Sequence, residues 1–190
     1  MMSENLSQSA YANTDLQRQL QRVTYEQIVQ LTTRELARRR IEDYTTYTKP
    51  DFEAAPHHKL ICQHLDMLIS GKIRFLRIEM PPRHGKSELG SIRLPSYFLG
   101  KNPSKQLIHI SHSASLSNDF SRQVRDTVEK SQQYRLLFPQ VTLSKTRARI
   151  DDWKTNQGGG FFSLGTGGSV EGHGAHGLII DDPMTADDAD

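Results

Sequence analysis

The sequence predicts an α/β fold, a parallel sheet flanked by helices. Three observations carry it. Short apolar runs at 74–80 ("RFLRIEM"), 105–111 ("KQLIHIS") and 177–183 ("GLIIDDP") alternate with stretches of helical periodicity. The turn "PPRHGKS" at 81–87 lies between the first of these strands and a helix. The last apolar run ends in two adjacent carboxylates and a proline, as a buried strand does where it leaves a sheet.

Each element follows from its own pattern. Residues 1–14 are polar and read as a disordered tail. From 15 to about 47, Leu16, Leu20, Val23, Ile28, Leu31, Leu36 and Ile41 recur at loosely helical spacing, so 15–55 reads as an N-terminal helical segment of one or two helices. It is expected to dock on the next domain or to meet a partner. Pro50 and Pro56 interrupt it, and 57–68 reads as a further helix with Leu60, Ile61, His64, Leu65 and Leu68 on one stripe. A helix is expected over 88–99, which Pro95 should kink or end early. Leu116, Phe120, Val124 and Val128, four apart, mark an amphipathic helix. Two short strands around "NQGG" at 156–159 read as a hairpin. Residues 56–190 thus form one α/β domain.

The chemistry lies in two of these turns. Gly85-Lys86-Ser87 closes a phosphate-binding loop: backbone N–H groups at a helix N-terminus face the phosphates, Lys86 supplies the cation and Ser87 a Mg²⁺ ligand. Met80 stands where the usual loop has its first glycine, and Pro81 and Pro82 stiffen the entry in its place. Pro82, Arg83, His84, Gly85, Lys86 and Ser87 are the candidate nucleotide contacts. Asp181 is the candidate metal carboxylate, and Asp182 the one that orients the attacking water. A GKS turn and a strand ending in two aspartates, in this order, point jointly to a nucleoside triphosphatase site for ATP and Mg²⁺. Arg83 is either an arginine finger in cis or a solvent-facing loop arginine. Gln63 stands where helicase-like ATPases place an adenine-reading glutamine, or is a surface residue of its helix. The glycine-rich 165–177 stretch is a mobile loop near phosphates or DNA, or a floppy surface loop. Adjacent His57 and His58 do not project to one side and make no metal pair.

Composition narrows the classes. Net charge is +2, which permits a nucleic-acid partner without requiring one; Lys145, Arg147 and Arg149 add local basicity. The single cysteine, Cys62, rules out an intrachain disulfide, and no apolar run approaches the roughly 20 residues of a membrane span, so a cytoplasmic location and no membrane partner are expected.

The stretches "KPDFEAAPHHKLICQHLD", "MPPRHGKSE", "YFLGKNP", "ISHSASLSNDFSRQVRD", "LFP" and "DDWKTNQGGGFFSLGTGGSVEGHGAHGLIIDDP" resemble the ATPase half of tailed-phage terminase large subunits, in order, over about 40–190. The resemblance implies a P-loop NTPase fold of the helicase-like (ASCE) kind in a DNA-packaging motor. Its partners would be double-stranded phage DNA, a small terminase subunit and the portal, and it would work as a homo-oligomeric ring. It implies Lys86 and Ser87 as phosphate and Mg²⁺ ligands, Arg83 as the in-loop arginine and Asp181 as the acidic metal residue. Two departures stand out: relatives often have glutamate where this chain has Asp182, and arginine where it has His173. The chain ends at Asp190, so it is expected to be the N-terminal part of such a motor, its sheet incomplete and the nuclease domain beyond it. A helicase-like nucleic-acid remodeller, or a non-catalytic remnant that keeps the fold, are the alternatives.

Overall fold

A computed structural model describes residues 25–183. Helices α1 (Tyr25–Arg39), α2 (Ile41–Thr48) and α3 (Pro56–Ile69) come first. A π-helical segment, Glu88–Arg93, runs into α4 (Leu94–Lys101). There follow β1 (Gln106–Ser111), α5 (Ala114–Lys130), α6 (Gln132–Leu137), β2 (Leu143–Ala148), β3 (Asp152–Thr155), β4 (Gly160–Gly165) and β5 (Gly177–Asp181). Residues 15–24 of the expected N-terminal helices, and the expected tail, lie outside the described residues. Among the described residues no helix is long and apolar enough to cross a membrane.

The five strands form one sheet in the order β2-β3-β4-β1-β5. β4, β1 and β5 run parallel, with Ser111 level with Gly165 on one side and Asp181 on the other. β2 and β3 join antiparallel, so the sheet is mixed, not wholly parallel as expected. The expected hairpin is β3–β4, turned at Gly158 in the left-handed region (φ +85°). β2 has no apolar alternation to announce it: four of its six residues are exposed.

Against one face lies α5. Ser117 and Ser121 are fully buried, and their small side chains let the helix come close to the strands. Both are hydrogen-bonded: Ser117 Oγ lies 2.8 Å from His109 Nδ1, and Trp153 Nε1 donates to Ser121 Oγ at 3.0 Å. Val124 and Val128 are buried further along the helix, as their spacing predicts. The apolar core is continuous from Ala37, Ile41 and Tyr44 in α1 and α2 to Trp153 and Phe161 in the sheet. Burial pushes the Cys62 thiol up to about 12, which makes it an inert core residue.

Three further expectations change. Residues 75–80 do alternate, with Leu76 and Ile78 packed on the core and Arg77 paired with Glu79 outside, yet the segment joins no strand ladder. Alternation reports which side is buried, not whether the backbone finds a partner. Here a groove of about 450 Å³, lined by Leu76, Ile78, Ile179 and Asp181 among others, opens between the segment and β5. Leu178 and Ile180 on β5 are left more than half exposed. Secondly, Pro95 does not end its helix. The Leu94 N–H bonds the Leu89 carbonyl in a π turn, and Pro95 falls at the start of α4, where a missing N–H is tolerated. Thirdly, α3 buries Cys62 and Leu65 while Leu60 is exposed. In α1 likewise only Ala37 is buried; Ile28, Leu31 and Leu36 face out.

Candidate functional site

The 81–87 turn leads into the π segment: the Leu89 N–H bonds the Gly85 carbonyl at 3.1 Å, so Lys86 and Ser87 occupy the first helical turn. Two residues of the turn are left-handed, Arg83 at φ 64° and Gly85 at φ +84°. For arginine this conformation costs roughly 1–3 kcal/mol and persists only where surrounding contacts fix it. One such contact is internal, His84 Nδ1 to the Pro82 carbonyl at 2.8 Å. Glu88 anchors the helix start, accepting from Arg93 at 2.6 Å and from Lys49 at 3.1 Å.

Across from the turn, β5 delivers both aspartates at the C-terminal ends of the parallel strands, where open α/β sheets bind ligands. Asp181 is buried and accepts from Ser91 Oγ at 2.9 Å. Asp182 is left-handed (φ 42°), its carbonyl takes the His112 N–H at 3.2 Å, and its side chain is 65% exposed. Lys86 Nζ lies 3.5 Å from Asp181 Oδ1 and makes an ion pair with Asp182 Oδ1. Partial burial on its own would lower the Lys86 pKa. The two carboxylates outweigh that and hold it above the ordinary lysine value.

Pro82, Arg83, Gly85, Lys86, Ser87 and Asp182 together line a cavity of about 400 Å³, within the range of small-molecule sites. Asp181 stands behind it, reached through Lys86. Of the residues singled out in the sequence, these seven come together. His84 has its ring turned to Pro82 and its carbonyl to His58, 2.9 Å away. Gln63 is exposed on α3; the residue of that helix that hydrogen-bonds the turn is His58, with the His57 ring 6.2 Å from that of His84. In the glycine-rich loop, His173 stacks flat on Phe162 with ring centres 3.7 Å apart.

Ser91 was missed in the sequence, and His58 was weighed there only as half of a metal pair. Ser91 had a signal, since it follows Ser87 by one helical turn and shares its face. His58 had almost none, because what it contributes is a bond to backbone, which carries no side-chain signature.

A family model described as "Terminase large subunit, T4likevirus-type, N-terminal" matches residues 78–189, more than half of the chain. The chain belongs to that family. None of the curated proteins and none of the solved structures compared matches it. Membership in the terminase large subunits places the chain in phage DNA packaging, with DNA and packaging components as partners in general, in a family that is generally an ATPase. The match begins at Ile78 and ends beyond Asp182, so it spans the turn, both aspartates and the whole sheet.

Proposed function

We propose that this terminase part binds ATP–Mg²⁺ in the cavity over Pro82–Ser87 and hydrolyses it to drive DNA into a capsid, on a P-loop fold of the helicase-like kind. The observation that carries the reading is the meeting of Lys86 with Asp181 and Asp182, carboxylates more than ninety residues away in sequence, at the mouth of a left-handed, glycine-containing turn. Structural ion pairs are usually made along a surface. Here a cation and two carboxylates converge on a cavity whose floor is a helix N-terminus, and that arrangement suits a polyphosphate.

The residues fit such a ligand. Lys86 would exchange its carboxylate partners for phosphate oxygens, and the exposed Asp182 is free to swing aside. Ser87 and Asp181 would hold Mg²⁺ with phosphate and water completing its shell, since it rarely takes a cage made of protein alone. When bound, the metal neutralises charge that builds on the transferring phosphate. Asp181 is kept in place by the Ser91 hydroxyl and the Lys86 ammonium. Asp182, more exposed, accepts the proton side of the attacking water and aligns it with the phosphate. Arg83 lies on the cavity wall and offers its guanidinium to the same charge. The proposed partners are double-stranded phage DNA, the small terminase subunit and the portal, in a homo-oligomeric ring.

Thermal unfolding with and without ATP–Mg²⁺, alongside Lys86→Ala, tests this directly. At a ligand concentration about 100 times its Kd the parent should gain about 2.7 kcal/mol, a gain lost in Lys86→Ala. Hydrolysis should follow the same pattern. A parent that melts cooperatively with no shift, or turnover that survives Lys86→Ala, would sink the assignment.

A further inference from the structure

His58 has a role that its place in the sequence does not announce. It is the third residue of α3, after the N-cap Ala55 and Pro56. The Ala55 N–H donates to His58 Nδ1 at 3.2 Å, the reach-back half of a capping box with imidazole in place of glutamate. That bond requires a bare Nδ1, so the neutral ring carries its hydrogen on Nε2. Nε2 lies 2.9 Å from the His84 carbonyl and donates to it. The ring is held from its sides by Phe52 and His57, with ring centres 5.0 and 4.0 Å away, so the two adjacent histidines do turn towards each other, contrary to the expectation from their spacing.

The bond falls at the most constrained point of the turn. The His84 carbonyl sits between the two left-handed residues, Arg83 and Gly85. A side chain at Gly85 would put its Cβ 2.7 Å from His58 Nε2, so the imidazole fills the space that glycine leaves open. In a planar trans peptide the carbonyl of one residue and the N–H of the next point in opposite directions. With the His84 carbonyl drawn towards α3, the Gly85 N–H is turned away from α3, and Gly85 lines the cavity.

We infer that His58 is a positioning residue for the phosphate-binding turn: its Nε2–H clamps the 84–85 peptide so that the Gly85 N–H faces the bound phosphates. The inference rests on the nucleotide-binding reading of the cavity. It assigns to one imidazole both the start of α3 and the shape of the turn.

Three substitutions in the full chain separate the clamp from the packing. His58→Gln keeps an acceptor for Ala55 and an amide N–H long enough to reach His84. His58→Asn keeps the acceptor but is too short for the clamp. His58→Phe keeps the ring volume and makes neither bond. Equilibrium titration with ATP–Mg²⁺ should give the parent and His58→Gln affinities within about threefold of each other, with His58→Asn and His58→Phe at least about tenfold weaker. The melting temperatures of the ligand-free Asn and Gln variants should agree within a few degrees, since both keep the helix cap. Parent-like binding by His58→Phe or His58→Asn would overturn the clamp and leave the nucleotide site standing. Equally weak binding by His58→Gln and His58→Phe would overturn the donor role. No binding by the parent would remove the nucleotide reading itself, and the clamp with it.

Discussion

The site is a set of residues held in place by specific neighbours. Ser91 holds Asp181, Lys86 draws both aspartates together, and Arg83 and Asp182 sit left-handed on either side of the cavity. A short way along β1, His109 is a polar group held in the core at some cost. It is fully buried, lies against Phe120 and Phe161, and its Nε2 has no partner among the described residues. Burial lowers its pKa to about 4, with Asp181 opposing the shift only in part. An unfolded histidine titrates near 6.5. Between those two values the unfolded chain therefore binds the extra proton, so stability falls as pH drops from about 6.5 towards 4. At pH 5 this one residue should remove about 2 kcal/mol relative to pH 7.5. Urea midpoints at the two pH values measure it, and His109→Leu should flatten the difference. An equal drop in His109→Leu would assign the acid sensitivity to other groups.

Legibility in the sequence differed from element to element, for physical reasons. β1 and β5 were readable as short apolar runs, β4 from the turn signal before it, and α5 from the helical period that burial imposed on its side chains. The GKS turn and the paired aspartates were readable because their function needs particular side chains at fixed spacing. β2 was not readable. As an exposed antiparallel edge strand it owes its place to backbone pairing with β3, and its Lys145 and Arg147, with Arg149 just beyond it, look like loop residues. The 75–80 segment failed the other way, with a strand's pattern and no ladder. That edge strand belongs to the DNA side of the proposal. Lys145 has no ion-pair partner among the described residues, whereas Arg147 and Arg149 pair with Asp152 and Asp151, pairs exposed enough to exchange for phosphates. If β2 and the residue after it meet the duplex backbone, replacing all three by alanine should lower the slope of log K against log [salt] by about 2.7 for double-stranded DNA of any sequence. A fluorescence-anisotropy salt series measures it, and an unchanged slope would move the contact elsewhere.

At the scale of the whole molecule, an aromatic cluster joins α2 to α4 and α6, within the core that reaches the sheet. Tyr44 of α2 lies 4.9 Å from Tyr97 and 6.4 Å from Tyr134 between ring centres, and Tyr134 lies 5.2 Å from Phe138. Every hydroxyl is satisfied: Tyr44 donates to Ser96 Oγ at 2.8 Å, Tyr134 to the Ser96 carbonyl at 3.2 Å and Tyr97 to the Arg38 carbonyl at 2.9 Å. Ser96 is thus the polar centre on which α2, α4 and α6 meet. Because Trp153 shares this core, α1 and α2 should unfold with the sheet and not before it. Trp153 is the chain's only tryptophan and is fully buried on β3, so its fluorescence reports the sheet alone, while far-UV circular dichroism is weighted to the helices. Tyr44→Ala should cost roughly 3–5 kcal/mol and lower the melting temperature by about 10 °C. The decisive feature is coincidence. If the core is one unit, fluorescence and dichroism should move down together, although the substitution lies in α2 and the reporter in β3. A Trp153 transition left at the parent temperature, with the helical signal lost early, would mean that the helices fold as a separate unit upon the sheet.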